Sequence, residues 1–135
     1  MIMFIMMKYR TLILLFTLAP VFLIRSEAVE IANSINDFTT DGIQDSNGWV
    51  SGYRNYSQDG GGDDYNATDD FIAFDKDSHW RGDFWRLAPS GAPWTTVKSD
   101  SGHPNGTNSA PNEEHWAIRR WESDREGSLS FVWSL

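Results

Sequence analysis

No window of eleven or more residues after residue 28 carries apolar side chains at a helical period, and this shapes every later expectation for the chain. Short apolar stretches instead alternate with clusters of Gly, Asn, Asp, Ser and Pro. Such punctuation predicts strands of a few residues each, closed into an all-β fold. Trp49 to Tyr56 and His115 to Trp121 read as strands, and Phe71 to Phe74 as a short buried one. Ile31 to Phe38, Trp80 to Leu87 and Trp94 to Lys98 read as further strands. Leu129, Phe131, Trp133 and Leu135 fall on one face at period two, with Ser128, Ser130 and Ser134 on the other. That pattern predicts a half-buried strand, joined to His115–Trp121 as a hairpin through the polar loop 122–127. Trp116 and Ile118 share one face and Trp121 takes the other, which a bulge at Arg119 and Arg120 would reconcile. Gly52 is read as another bulge mark.

Residues 1–28 have the layout of a secretory signal peptide. Lys8 and Arg10 precede an apolar run from Thr11 to Ile24, and Ser26-Glu27-Ala28 is a small-residue cleavage site. The run holds about 14 residues where a membrane span needs about 20, so stable insertion after cleavage is not expected. The expected location is secreted, either extracellular or in the cell envelope. Residues 29–135 then form one small domain. Removing Lys8, Arg10, Arg25 and Glu27 from 11 basic and 19 acidic side chains leaves 8 and 18, a formal charge of −10. Nucleic acid is therefore not an expected partner, because its phosphates are held by Lys and Arg. With no cysteine in the chain, disulfides contribute nothing to its stability.

The strands and turns predict an antiparallel β-sandwich or barrel, jelly-roll sandwiches among them. Such sandwiches use about eight strands, and this sequence offers six or seven. It also ends on the apolar face of the Leu129–Leu135 pattern, so the domain is expected to be incomplete at the C-terminus.

Asp37-Phe38, Asn47-Gly48-Trp49, Gly52-Tyr53, Trp80, Trp94, His103-Pro104, Ala117-Ile118-Arg119-Arg120-Trp121 and Gly127 follow one another in an order that resembles the start of a galactose-binding-like, jelly-roll domain. Domains of that family stand in large secreted bacterial proteins beside enzymatic, cytochrome-like or surface-sorting modules. Their hallmark is a His-Pro, a short spacer, a strand reading roughly Val-x-Arg-Trp, and a glycine turn. The likeness covers most of residues 29–135, while the family's second half has no counterpart here. It implies a non-catalytic sandwich that binds carbohydrate or another surface ligand.

Seven tryptophans are a high load for 135 residues. Flat indole rings stack on the apolar face of a pyranose, and neighbouring polar groups take its hydroxyls. Trp80, Trp85, Trp94 and Arg86 are the candidate ligand contacts, set against the ordinary use of a tryptophan as core. Asp59, Asp63 and Asp64, on a loop containing three consecutive glycines, offer oxygen ligands of the type calcium takes. The order is not that of an EF-hand, and a solvated acidic loop is the plainer reading. His79, His103 and His115 lack the short spacing of a zinc motif. Glu113 and Glu114 are adjacent, so on a strand they point to opposite faces rather than flanking one bond. No nucleophile or phosphate-loop motif appears, and an enzyme is not expected. On a strand Arg119 and Arg120 also face opposite ways, one pairing with a carboxylate and the other meeting solvent. Three glycosylation sequons begin at Asn55, Asn66 and Asn105, all in expected loops or strand ends. The alternative to a binding module is a structural fragment, or the truncated start of a larger secreted protein, whose Phe131–Leu135 edge pairs with another chain by strand addition.

Overall fold

The computed structural model describes residues 29–60, 62, 64–108 and 110–132. The expected signal segment 1–28 lies outside them. Among the described residues six strands and one short helix follow one another: β1 (Trp49–Asn55), β2 (Ile72–Ala73), α1 (Lys76–His79), β3 (Trp85–Arg86), β4 (Thr96–Val97), β5 (Gly102–His103) and β6 (His115–Trp121). They form two antiparallel three-stranded sheets, ordered β2-β1-β6 and β3-β4-β5. The all-β expectation holds at this level; the strand expected at Trp49–Tyr56 ends at Asn55, and the one at His115–Trp121 keeps its bounds.

β1 and β6 pair without interruption from Trp49↔Trp121 to Asn55↔His115, so there is no bulge at Arg119 and Arg120. The mixed alternation has another cause. The face of β6 with Ala117 turns inward, and Trp121 lies on it beside Trp49, ring centroids 6.3 Å apart. Trp116 faces outward and stacks on Tyr56 at 5.4 Å. Each tryptophan has an aromatic partner on its own side, and no break in register is required. Gly52 is no bulge either. A Cβ there would stand 2.3 Å from the Ile72 carbonyl oxygen and 2.7 Å from the Phe71 ring, a close approach that only glycine permits. Beside Gly52, the Gln44 side chain stands in for a strand, accepting from the Ser51 N–H (2.9 Å) and donating to the carbonyls of Ser51 (2.7 Å) and Phe74 (3.0 Å).

The buried core joins the sheets. Phe74, Trp85 and Val97 form its centre, and Phe38, Tyr53, Trp80, Leu87 and Ala117 pack around them. Phe74 and Trp85 stack nearly parallel at 5.9 Å, and Trp80 leans on Trp85 at 4.9 Å. Tyr53 and Ala117 come from the first sheet, while Trp85 and Val97 come from the second, so one apolar cluster excludes water from both inner faces.

Three expected strands are replaced by other structure. Ile31–Phe38 is a turn, because Asn33 Oδ1 accepts from the N–H groups of Ile35 and Asn36 (3.0 Å each) and Asp37 Oδ2 accepts from Asn33 N–H (2.7 Å). Those side chains offer the backbone a closed local alternative to a ladder. Trp80–Leu87 folds back on itself, with Trp80 bridging Trp85 across a turn and only Trp85–Arg86 left as strand. Residues 128–132 form no strand. Val132 is 99% exposed, and the neighbours of β6 are β1 and, at His115, Asn105. The expected hairpin with 115–121 is therefore absent over 128–132, and residues 133–135 lie outside the described ones. Strand addition loses its proposed edge over the same stretch.

Candidate functional site

The second sheet has one face in the core and one in solvent. Trp85, Val97 and Gly102 are aligned across its three strands, and Arg86, Thr96 and His103 form the neighbouring row. Successive strand residues point to opposite sides. Since Trp85 and Val97 are buried, the Arg86–Thr96–His103 row faces outward. Phe84, two residues before Arg86, and Trp94 and Lys98, two residues either side of Thr96, lie on that same side. Together the six line an open depression of about 270 Å³.

Two ring–cation pairs frame it. The Arg86 guanidinium lies over the Trp94 indole at 5.1 Å, and Lys98 Nζ lies over the Phe84 ring at 5.6 Å. Arg86 is held there by Nη2 donating to the Gly91 carbonyl at 3.0 Å. Thr96 Oγ1 donates to the Trp94 carbonyl at 2.9 Å, which braces the start of β4. Trp94 stays 45% exposed despite its partner. Among the described residues no carboxylate lines the depression, although the chain as a whole has a formal charge of −8.

Of the four expected ligand contacts, Arg86 and Trp94 meet here. Trp85 is completely buried and belongs to the core, with no part of its ring open to a ligand. Trp80 also turns inward: Gly42, at φ +75°, has room for no Cβ because the Trp80 indole lies 2.6 Å from where it would be. Thr96 and Lys98 share the face of Trp94 at period two in the strand expected over Trp94 to Lys98, a signal that residue type alone does not single out, while Phe84 and His103 escape a sequence reading because β3 and β5 are two residues long.

The acidic loop has a different organisation from either expectation. Asp59 accepts from Arg54 Nε, Asp70 lies 3.6 Å from Arg54 Nη2, and the Gly62 carbonyl accepts from Nη2 at 2.8 Å. Asp69 and Asp70 also close the following turn onto Asn66. The loop is thus wound round an arginine rather than solvated throughout. Asp64 is exposed and Asp63 lies outside the described residues. Among the described residues no three His, Asp or Glu side chains converge as a metal site would need.

At the far end of β1 and β6 lies a buried polar chain. His115 Nδ1 is 2.9 Å from Thr95 Oγ1, and its Nε2 is 3.2 Å from Glu113 Oε2. Glu113 also accepts from Gln58 (2.8 Å) and Asn55 (3.1 Å). The Gln58 hydrogen bond, followed by those of His115 and Asn55, outweighs burial and holds the Glu113 carboxyl below its ordinary value. Thr95 and His115 are buried, so the residue types of an acyl-transfer triad here tie β6 to the loop before β4. Asn105 completes the joint, accepting from Trp94 N–H at 2.9 Å and donating to the Glu113 carbonyl at 2.6 Å.

Both central arginines of β6 are engaged as well. Arg119 donates to the carbonyls of Ser34, Lys98 (2.7 Å) and Ser99 (3.0 Å) and lies over Phe38. Arg120 pairs with Glu122 at 3.0 Å and donates to the Ala67 carbonyl. Neither is left to solvent, contrary to the expectation of one free side chain. Two of the sequon asparagines, Asn55 and Asn105, are buried, and only Asn66 lies on an exposed turn. Compared with protein-family models, with curated proteins and with solved structures, the chain has no match.

Proposed function

We propose that this chain is an exported, non-catalytic carbohydrate-binding module, and that the outer face of β3-β4-β5 is its ligand surface. Its two sheets are read as part of a sandwich of the jelly-roll, galactose-binding-like kind, which the shared core of Phe74, Trp85 and Val97 supports. The observation that carries the functional reading is Trp94: a large ring, 45% exposed, held by Arg86 on a face with no part in the core. Trp94 does not stand alone on that face: Phe84 lines the same depression, and clustered rather than scattered apolar side chains are what mark binding surfaces. Arg86, Thr96 and His103 in one row supply donors and acceptors for sugar hydroxyls.

A binding role is favoured over catalysis by the placement of the chemistry-bearing groups. Thr95 and His115 are sealed inside the joint, and Glu113 is occupied by Gln58, Asn55 and His115.

Retention on a panel of immobilised polysaccharides tests the proposal. Wild type is expected to be retained by at least one. Trp94→Ala is expected to bind about 30-fold more weakly, the effect of losing a central tryptophan worth about 2 kcal/mol. Trp116→Ala, which removes an exposed ring from the other sheet, is expected to match wild type. Equal retention of wild type and Trp94→Ala rejects this face as the site.

A further inference from the structure

We infer that the ligand of this face is an acidic polysaccharide, a polymer of uronic acid residues whose carboxylates are taken by Arg86 and Lys98. The inference rests on the carbohydrate-binding reading and narrows it to one chemical class.

The first ground is charge. The chain carries −8 overall, yet among the described residues Arg86, Lys98 and His103 are the titratable side chains lining the depression, and no carboxylate joins them. A face kept basic on an acidic protein is complementary to an anion, while the rest of the surface repels it. A neutral sugar gains nothing from that arrangement.

The second ground is the repeat of one unit. Trp94 with Arg86 and Phe84 with Lys98 are each an aromatic ring topped by a cation. Extending the Trp85↔Val97 and Arg86↔Thr96 register places Phe84 beside Lys98 at one end of the strand pair and Trp94 at the other. Four residues of strand rise, about 13 Å, lie between Trp94 and Lys98. That is more than a single pyranose covers, so two units of a chain are engaged rather than one sugar. Each cation lies over its ring, so a carboxylate that reaches the cation brings its sugar against the edge of the same ring–cation pair.

The third ground is the kind of cation. Arg86 is a permanent cation, and its Nη2 donation to the Gly91 carbonyl fixes the guanidinium over Trp94, where it can meet a carboxylate without first being ordered. Lys98 is exposed and acts as a point charge. Thr96 and His103 lie between the two pairs, within the same row as Arg86, and are positioned for hydroxyls.

Affinity electrophoresis of the full chain tests this in gels containing polygalacturonate, methyl-esterified polygalacturonate, a neutral galactan or dextran sulfate. The expected result is retardation by polygalacturonate that weakens about tenfold on esterification and falls as salt is raised. Lys98→Gln and Arg86→Gln are each expected to weaken polygalacturonate binding about tenfold. Lys98→Gln serves as the check on Arg86→Gln, because the Lys98 amine holds no loop in place. Equal retardation by the acid, its ester and galactan overturns the acidic assignment and leaves carbohydrate binding standing. Retardation by dextran sulfate without polygalacturonate overturns the carboxylate assignment. No retardation in any gel overturns this inference and the parent reading together.

Discussion

Arg54 Nε donates to the Asp59 carboxylate across a turn that begins where β1 ends, and Arg54 is only 1% exposed. Tyr56, Trp116 and Tyr65 surround it at 4.8 to 5.9 Å. The outer face of β1 therefore carries a buried cation, and the loop folds back to neutralise it with Asp59, Asp70 and the Gly62 carbonyl. A buried charge that loses its partners is costly, so these contacts make the loop's position a condition of burying Arg54.

Removing the cation is therefore expected to release the loop while leaving the sheets paired. Arg54→Ala should make the 57–70 segment the first site of limited proteolysis, at a protease dose that leaves wild type whole. Asp59→Asn should do the same more weakly, since Asp70 and Gly62 remain. An Arg54→Ala protein cut no faster than wild type within 57–70 would show that the loop is held by something else.

Trp85 and Trp94 sit nine residues apart in the chain and in opposite surroundings, one sealed in the core and one on the open face. Trp85→Ala removes a ring packed between Phe74 and Trp80 and is expected to cost about 3–5 kcal/mol, a large share of the stability of a small domain. Trp94→Ala is expected to stay within about 0.5 kcal/mol of wild type. Urea unfolding followed by circular dichroism separates them, and similar losses for both variants would contradict the assignment of faces.

The distinction between those two tryptophans marks how far the sequence could be read. Trp49–Asn55 and His115–Trp121 were legible because seven residues give alternation room to declare itself. Their mutual pairing was not, since register between segments sixty residues apart is chosen by the assembled core. Leu129 to Leu135 shows the converse. A perfect period of two says which face a strand would bury, and nothing about whether a neighbour exists to pair with. In Ile31–Phe38 the decisive groups were Asn33 and Asp37, whose side chains close a turn that apolar spacing does not reveal. For the site, Trp94 and Arg86 could be named from residue type. Lys98 shares the face of Trp94 at period two in the expected Trp94 to Lys98 strand, but His103 could not be placed, because β5 is two residues long and its face emerges only from the cross-strand pairing. The acidic loop looked solvated for a similar reason: its counter-charge, Arg54, lies on a strand whose other residues read as half-buried sheet.

Asp75 caps α1 by accepting from Ser78 N–H at 3.0 Å, and its own N–H donates to His79 Nδ1 at 2.9 Å. The second bond needs a lone pair on Nδ1, which protonation removes. Burial against Phe74 lowers the His79 pKa below 6.5, with Asp75 pulling the other way and Arg81 adding to the decrease. Because the folded value is the depressed one, the unfolded chain takes up this proton first as pH falls. The stability contributed by neutral His79 is therefore fully present above pH 6.5 and is lost as pH drops through the folded value. His79→Asn places a non-titrating amide oxygen near the position of Nδ1 and is expected to unfold at nearly the wild-type urea midpoint at pH 8. Between pH 6.5 and 5 the wild-type midpoint should fall more steeply than that of the variant. The Asp75 and Glu113 carboxyls, both held below their ordinary values, remain ionised over that interval and do not contribute. Parallel midpoint curves for the two proteins from pH 8 to 5 would show that His79 keeps the same pKa folded and unfolded, and that its hydrogen bond to the Asp75 backbone does not govern the cap.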